Sequence, residues 1–377
     1  MSSLSLSALQ LPEHLVETSH ARVGLLGNPS DGYAGKTLSS TIDNFCATVE
    51  MEAFERVEFV PHPVGDCLEF GDLRDLSVFL RRNGYDGGIR LLMATSKTFW
   101  DALKEEKIEL SPTVASRGFK MKYSTAVPRQ LGLAGSSAIC TAVFRALMRW
   151  YGVPFSAIPP ERLAGYVLRA EQKELGIAAG LQDRVAQAYD CPVFMDFTPP
   201  AFAAHNGKHG SYTALPPMSA GFFTDRLFLL FPLAKQDGDD DDNKKDEAKS
   251  SGKVHSPVRK KWEEGDVFTR TMMEKIAALA EKGRDAIARK DDLEFVRLMN
   301  ENFALRVQLF GDAVSHMDRE LIALARSFGK DVGAKLPGSG GAVLVFCPRG
   351  FEFESFIRES GKAQIVPLKL RSAGPRV

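Results

Sequence analysis

A chain of 377 residues is longer than one ordinary core requires, so we expect two domains or one domain with insertions. Hydrophobic residues make up 44% and charged residues 25%, which is typical of a globular protein and excludes a disordered or fibrous chain. Lys plus Arg and Asp plus Glu each number 48, so no overall field favours nucleic acid or an anionic membrane as a partner.

The first part of the chain is rich in β-favouring residues. Strands are predicted at 21–26, 41–50 and 57–60. Between 119 and 127, apolar and polar side chains alternate with the period of a half-buried strand. A loop of Gly and Ser follows, and apolar residues then recur at helical spacing from Ile139 to Trp150. This pattern predicts a strand, a loop and a buried helix in succession.

A second helix is predicted from Pro159 to Leu175, with Gly176 as its left-handed cap, and a third from Leu181 to Tyr189. Further strands are predicted at 192–197, 226–233 and 342–347, and helices between 262 and 328. Helices and strands alternate without βαβ regularity, so the predicted fold class is α+β.

Residues 236–252 contain almost no side chain that burial could stabilise. We expect a solvated, disordered acidic insertion there, with a cation site or partner tail as the alternative. The five cysteines are scattered singly, which favours free thiols in a reducing compartment. The N-terminus lacks the basic start and apolar run of a secretory signal, so a cytoplasmic location is expected; its Ser-rich, acid-poor character leaves a plastid or mitochondrial address as the alternative.

The segment Val127–Ile139 carries the most chemical information. Gly132 and Gly135 let the backbone bend and approach a ligand, and the N–H groups of the helix start favour phosphate. Ser136 and Ser137 can cap the helix, or bind phosphate or magnesium through their hydroxyls. The pattern alone is equally typical of a capped helix after a tight turn. It is not a Walker motif, because no Lys follows the glycines, and the chain has no protein-kinase catalytic loop.

Two acids stand out in the helices that follow. Glu171 shares one helix face with Leu163 and Val167, and an acid on an apolar face is either an ion-pair partner or a metal ligand. Asp183 lies near the start of the third helix, where the helix dipole favours an acid, so a structural role is the simpler interpretation of Asp183 alone.

Three segments in chain order resemble the motifs of the GHMP kinases: Ala21–Asp31, Pro128–Ala138 and Lys335–Gly341. Between the second and third, Glu171–Asp183 is similar to the family segment that carries a magnesium-binding Glu and a catalytic Asp. The second motif reads G-L-A-G-S-S-A, one residue more than the usual G-L-G-S-S-A. With Gly252–Ser256, it resembles plant-type glucuronokinases, and the resemblance runs from about residue 21 to 350.

The resemblance implies a kinase that uses ATP and Mg²⁺ to phosphorylate the anomeric 1-hydroxyl of D-glucuronate, giving glucuronate 1-phosphate for UDP-glucuronate synthesis. Kinases of galacturonate, arabinose or galactose use the same motifs and are alternatives, as is a GHMP-fold ligand sensor without catalysis. The implied fold has an N-terminal extension at 1–20, a ribosomal protein S5 domain 2-like ATP-binding domain at 21–200, and a ferredoxin-like C-terminal domain at 201–377 that contains the insertion.

The resemblance also implies residue roles. Asp183 would act on the sugar hydroxyl, and Ser137 and Glu171 would hold Mg²⁺. ATP would be bound by the residues of the glycine loop: Pro128, Gly132, Leu133, Ala134, Gly135, Ser136, Ser137 and Ala138. The substrate would be contacted by Arg22, Asn28, Asp31, Arg129 and Gly340. From charge and position along the chain, the candidates for binding the substrate carboxylate are Arg129, Arg184 and Arg259, with surface or structural ion pairing as the alternative for each.

Overall fold

The computed structural model describes residues 11–63, 65–66, 69, 71–77, 87–233 and 251–376, with the backbone alone at 218 and 251–255. The described strands form two sheets. The first has six of them, in the order β3–β4–β2–β5–β6 with β1 paired to β2. They are β1 (His14–Leu26), β2 (Lys36–Ala53), β3 (Val57–Phe59), β4 (Phe119–Thr125), β5 (Val193–Asp196) and β6 (Ser211–Ala214). All pairs are antiparallel except β3 with β4.

Strand β1 begins at His14, seven residues before the predicted start at Ala21. Buried and more exposed side chains alternate from His14 to His20, where one face of the strand is covered. From Ala21 to Leu26 every side chain is buried, because both faces are covered. The predicted strand, 21–26, covers only this fully buried part of β1. Residues 14–20, assigned to an N-terminal extension from the sequence, instead pair with β2.

In the first half of the chain, α3 packs against α1 and α4. The described α-helices here are α1 (Gly88–Glu105), α2 (Pro112–Ala115), α3 (Gly135–Trp150), α4 (Pro160–Arg169), α5 (Gln182–Tyr189), α6 (Pro199–Ala203) and α7 (Met218–Gly221). The Phe144 ring of α3 lies 5.4 Å from Phe99 of α1 and 5.9 Å from Tyr166 of α4, measured between ring centroids. Such aromatic packing fixes α3 against both helices, which holds its N-terminus in place.

The predicted second helix is divided in the structure. Helix α4 ends at Arg169, and one π-helical turn, Ala170–Glu174, completes the segment. Gly176 then adopts a left-handed conformation with φ of +68°, as expected for a cap. Periodicity cannot distinguish a π turn from the end of an α-helix, and single π turns are frequent at functional sites.

The second sheet has the strand order β10–β7–β9–β8 among the described residues, with every pair antiparallel. Its strands are β7 (Leu227–Pro232), β8 (Gly333–Lys335), β9 (Val343–Phe346) and β10 (Ala363–Pro367). The accompanying helices are α8 (Ser251–Glu263), α9 (Val267–Arg289), α10 (Asp292–Phe310), α11 (His316–Arg326) and α12 (Gly350–Ser360). In chain order the strands stand 4-1-3-2, the ferredoxin-like arrangement expected for the C-terminal domain.

Among the described residues there are two apolar cores, one between the first sheet and helices α1, α3, α4 and α5, and one between the two sheets. Leu25 and Leu26 of β1 belong to the same buried cluster as Ile276 and Leu279 of α9. A Cβ at Gly283 would collide with the Leu26 side chain, so glycine there lets α9 approach the first sheet. This packing brings the loops of the two sheets together. In the part of the chain that the structure describes, no helix has the length and apolar character needed to cross a membrane.

Several elements were not predicted. Helix α1 carries an apolar stripe, Leu91, Leu92, Phe99 and Leu103, that periodicity could have revealed. The short strands β6, β8 and β10 offer too few residues for a period to show. The predicted division between 200 and 201 stays a prediction, and β6 of the first sheet lies beyond it. Of the predicted insertion, residues 236–250 lie outside the described residues, whereas residues 251 and 252 begin helix α8 rather than lying in a disordered stretch.

Candidate functional site

A cavity of about 830 Å³ lies between the loops of the two sheets. Its walls come from the end of β1 and the 3₁₀ turn Ser30–Tyr33, the loop before α3, the turn before α5, helix α8, and the loop after β8. The start of α1 and the strand β4 close the end beyond the α3 loop. A deep cleft between two domains is a usual place for a small-molecule site.

The loop before α3 is held in its shape by the loop after β8. Gly132 has a φ of +65°, a conformation that glycine adopts at little cost. A Cβ at Gly338 would collide with the Gly132 carbonyl oxygen, and a Cβ at Gly341 would lie 2.5 Å from the Gln130 carbonyl oxygen. The two glycine-rich segments can pack this closely because Gly338 and Gly341 have no side chains.

Helix α3 begins at Gly135, and its N-terminus lies at the cavity wall. A helix leaves its first N–H groups without partners in the helix, and its N-terminal end carries partial positive charge. The Ser136 hydroxyl donates to Glu171 Oε1 at 2.8 Å, and the Ser137 hydroxyl donates to the Ala134 carbonyl at 3.1 Å. The result is an anion-binding helix end with two hydroxyls and a carboxylate beside it.

Glu171 and Arg184 form a fully enclosed ion pair. Arg184 Nε donates to Glu171 Oε2 at 2.7 Å, and Nη2 donates to the same oxygen. A third bond runs from Arg184 Nη1 to the Gly180 carbonyl at 2.9 Å. The pair joins the π turn to α5, so Glu171 is an ion-pair partner, one of the two roles that the sequence leaves open for it. This ion pair also explains how the Glu171 carboxylate can be fully buried.

Arg22 and Asp183 form a second pair. Arg22 Nε and Nη2 both lie 2.6 Å from Asp183 Oδ1. Arg22 Nη1 donates to the carbonyls of Gly132 at 2.6 Å and Pro337 at 3.3 Å. One guanidinium on β1 thereby joins both glycine-rich loops to the start of α5, and it fixes the Asp183 carboxylate at the cavity wall.

Asp31 lies beside this second pair. Burial, with the nearby Asp183 carboxylate adding to it, raises the pKa of Asp31 to about 6. The Gln182 N–H, 3.3 Å from Asp31 Oδ2, and the Arg22 charge oppose that shift. A Cβ at Gly180 would collide with Asp31 Oδ2, so glycine lets the turn before α5 approach this carboxylate. Asp31 and Asp183 therefore line the same cavity, although their surroundings differ.

Comparison with known proteins gives the family. Residues 95–190 match the model of the GHMP kinases N terminal domain, and residues 284–375 match that of the GHMP kinases C terminal. Glucuronokinase 1 of Arabidopsis thaliana is 44% identical over 335 residues, covering 88% of this chain and 84% of that protein. The chain belongs to the GHMP kinase family. Probable glucuronokinase 2 of the same plant is 42% identical over 372 residues, covering 94% and 92% of the two chains.

Solved GHMP kinase structures share the fold. The mevalonate kinase of Methanococcus jannaschii matches with a TM-score of 0.66 at 17% identity, covering 95% of this chain and 99% of that one. The galactokinase of Lactococcus lactis, solved with galactose, matches with a TM-score of 0.66 at 15% identity, covering 97% and 95%. These structures confirm the two-domain α+β fold of this GHMP kinase.

Most of the residues predicted from the GHMP motifs come together. The cavity lining includes Arg22, Asn28, Asp31, Pro128, Arg129, Gly132, Leu133, Ala134, Gly135, Ser136 and Asp183. Ser137, Ala138 and Glu171 are buried behind the lining, within the first turn of α3 or against it. Gly340 lies against Asp318, and its neighbours Gly338 and Ser339 form the wall instead.

Lys335, at the start of the third GHMP motif, was not singled out from the sequence. It is fully buried, and its Nζ donates to the carbonyls of Gly24 and Leu336, both at 2.8 Å, and to Asn28 Oδ1. Burial, with Arg306 and Arg22 adding to it, lowers the pKa of Lys335 well below its usual value. The Asn28 amide also donates to Leu336 O at 3.2 Å, so this side chain joins the first motif to the third as well as lining the cavity.

Proposed function

We propose that this GHMP kinase transfers the γ-phosphoryl group of ATP to the anomeric 1-hydroxyl of D-glucuronate, giving glucuronate 1-phosphate for UDP-glucuronate synthesis. The observation that carries the proposal is that the Asp183 carboxylate and the N-terminus of α3 line one cavity. A phosphate-binding helix end and an oriented carboxylate are what transfer to a hydroxyl requires.

Asp183 is the proposed catalytic group. The sugar oxygen attacks the γ-phosphorus, the bond to the β–γ bridging oxygen breaks, and the hydroxyl proton passes to the Asp183 carboxylate. Arg22 holds Asp183 Oδ1 through two contacts of 2.6 Å, which fixes the direction of the carboxylate. The second oxygen, Oδ2, has a longer contact of 3.4 Å to Arg184 and can turn toward the hydroxyl.

The ATP phosphates are assigned to the loop from Gly132 to Ser137, where backbone N–H groups and the α3 dipole stabilise negative charge. The residues beside it fit Mg²⁺, because the donors are all oxygen atoms. Ser137 donates its hydrogen to Ala134 O, so its oxygen presents lone pairs, and Glu171 supplies a carboxylate. We propose Ser137 and Glu171 as the ligands. Bound Mg²⁺ supplies charge neutralisation of the transferring phosphate.

Glucuronate is favoured over other sugars by the relatives that are called glucuronokinases. They match along 88% and 94% of the chain. The five arginines at the cavity wall also suit a site that holds both phosphates and a carboxylate.

The experiment is coupled ATP turnover by the purified protein against free glucuronate, galacturonate, arabinose, galactose and glucose, with the product identified by mass and by NMR at C1. Glucuronate should give the highest kcat/KM, with the phosphate on the anomeric oxygen. If kcat/KM is higher for galacturonate or a neutral sugar, that sugar is the substrate instead of glucuronate. If none of the five compounds gives ADP release, the protein is better described as a ligand sensor.

We further propose that the protein acts in the cytoplasm. The four described cysteines, Cys46, Cys140, Cys191 and Cys347, are free, which suits a reducing compartment. Fractionation of cells that express a tagged full-length chain tests this, with a plastid or mitochondrial fraction as the contrary result.

A further inference from the structure

The carboxylate of a sugar acid distinguishes it from a neutral sugar, and in a cleft it needs a cationic partner. The cavity wall offers arginines for this purpose. Five of the described arginines line it: Arg22, Arg90, Arg129, Arg184 and Arg259. The contacts of each one decide whether it can bind a carboxylate of the substrate.

Arg22 and Arg184 already bind carboxylates of the protein. Arg22 has Asp183 and two carbonyls as partners, and its side chain is buried. Arg184 has Glu171 and the Gly180 carbonyl, and it is buried as well. A substrate carboxylate at either position would have to displace an enclosed ion pair, which is costly.

Arg90 and Arg129 lie at the end of the cavity proposed for ATP. Arg129 belongs to the loop before α3, and its charge acts on Tyr123 of β4. Arg90 is in the first turn of α1, beside Gly88, whose Cβ would collide with the Tyr123 ring. Both arginines are therefore placed to face phosphate rather than the far end of a sugar at Asp183.

Arg259 lies at the opposite end, where α8 meets the turn after β1. Its Nη1 donates to the Gly32 carbonyl at 2.8 Å, and its Nε donates to Glu263 at 2.9 Å. The guanidinium carbon is 6.0 Å from the centre of the Tyr33 ring. Gly32 and Tyr33 directly follow Asp31, so the guanidinium lies close to the group next to Asp183.

Nη2 of Arg259 has no hydrogen-bond partner among the described residues. Glu263 and Gly32 hold the other two nitrogens and thus orient the plane of the group. Ser256, one helical turn earlier on the same face of α8, also lines the cavity. A held guanidinium with a donor remaining at the cavity is the arrangement that binds a carboxylate.

We propose that Arg259 binds the C6 carboxylate of the sugar acid and so sets the preference of the enzyme for glucuronate over glucose. This inference rests on the proposed function, since it assumes that the sugar acid reacts at Asp183. The sugar then spans the distance from the reacting 1-hydroxyl at Asp183 to the carboxylate at α8, and Asp31 lies between the two.

The test measures KM for glucuronate and for ATP in the wild type, Arg259→Gln and Arg259→Lys. In Arg259→Gln, KM for glucuronate should rise about 10- to 100-fold, the loss of a charge-assisted bond, while KM for ATP changes less than about threefold. Arg259→Lys keeps the charge, so its KM for glucuronate should lie between those of the wild type and Arg259→Gln. The ratio of kcat/KM for glucuronate to that for glucose should fall in the same order.

Arg297→Gln is the matched control, because its side chain is 53% exposed against 51% for Arg259 and it also pairs with glutamates on its own helix, away from the cavity. It should leave both KM values unchanged. An unchanged KM for glucuronate in folded Arg259→Gln and Arg259→Lys would overturn the inference and leave the kinase activity standing. If the wild type does not phosphorylate glucuronate, the proposed function fails, and the inference fails with it.

Discussion

Two arginine–carboxylate pairs lie side by side at the cavity, and adjacent residues, Asp183 and Arg184, belong to one pair each. In the pair Arg184–Glu171 the side chains are 4% and 0% exposed. In the pair Arg22–Asp183 the arginine is 7% exposed, but the aspartate is 21% exposed. The chemistry of the two pairs is the same, and the exposure of the carboxylate separates them.

An enclosed carboxylate and an open one can do different things. Glu171 has both oxygens occupied, one by Ser136 and one by Arg184, so it stabilises the junction of the π turn, α3 and α5. Asp183 presents one oxygen to the cavity, so it can contact a substrate hydroxyl. Removing the charge at Glu171 should therefore reduce stability in addition to removing a proposed Mg²⁺ ligand, whereas removing it at Asp183 should affect mainly turnover.

The largest effect on activity is expected for Asp183→Asn. The amide cannot accept the hydroxyl proton, so kcat should fall about 10²- to 10⁴-fold. Arg22 keeps its bonds to the carbonyls of Gly132 and Pro337, so the fold should remain. Steady-state kinetics and thermal unfolding measure both effects. A kcat near that of the wild type would remove Asp183 from the mechanism.

Glu171→Gln should give the largest loss of stability. It removes the close anionic partner of the buried Arg184 guanidinium and leaves only the longer contact of 3.4 Å to Asp183, which costs about 3–5 kcal/mol in the free energy of unfolding. Urea unfolding measures that loss, and Asp183→Asn provides the comparison, since its arginine keeps two carbonyl partners. The double variant Glu171→Gln with Arg184→Met removes the unpaired charge and should recover part of the loss. If Glu171→Gln is no less stable than Asp183→Asn, the contrast between the two pairs is wrong.

Asp31, beside the Arg22–Asp183 pair, should make the stability of the protein depend on pH. Its pKa in the folded state, about 6, lies above the ordinary 3.8, so the protonated carboxyl contributes stability below about pH 4, and this contribution is lost as pH rises through 6. Asp31→Asn carries no such charge. It should be more stable than the wild type by about 2–3 kcal/mol at pH 7.5, and most of this difference should be lost near pH 4. Urea unfolding at the two pH values tests this, and a difference that does not change with pH would contradict it.

The smallest effects are expected for the two serines at the start of α3. Ser137→Ala removes a proposed Mg²⁺ ligand and should raise the Mg²⁺ concentration for half-maximal nucleotide binding about tenfold or less. Ser136→Ala is the matched variant next to it, and it removes one hydrogen bond to Glu171. Titration of a fluorescent ATP analogue with Mg²⁺ compares them. A larger shift in Ser136→Ala would move the ligand role to Ser136.

Local elements with strong patterns could be predicted from the amino-acid sequence. The loop before α3 could be predicted, because a glycine turn between an alternating strand and an apolar helix is a local feature. The acid on the apolar face at Glu171 could be found from helical spacing alone. The motifs then gave the family and most of the cavity residues, since these lie within three short segments of the chain.

The pairing of side chains at the cavity could not be predicted from the sequence, because the partners lie on distant segments. Arg22 and Asp183 are 161 residues apart, and nothing in either segment identifies the other. The same holds for Arg259 on α8, whose carbonyl partner Gly32 is 227 residues earlier. The raised pKa of Asp31 depends on burial and on the Asp183 charge, which both arise only when β1 and α5 meet. Periodicity reports the environment of a residue within its own element, whereas pairing, burial and charge at the cavity depend on how distant elements pack.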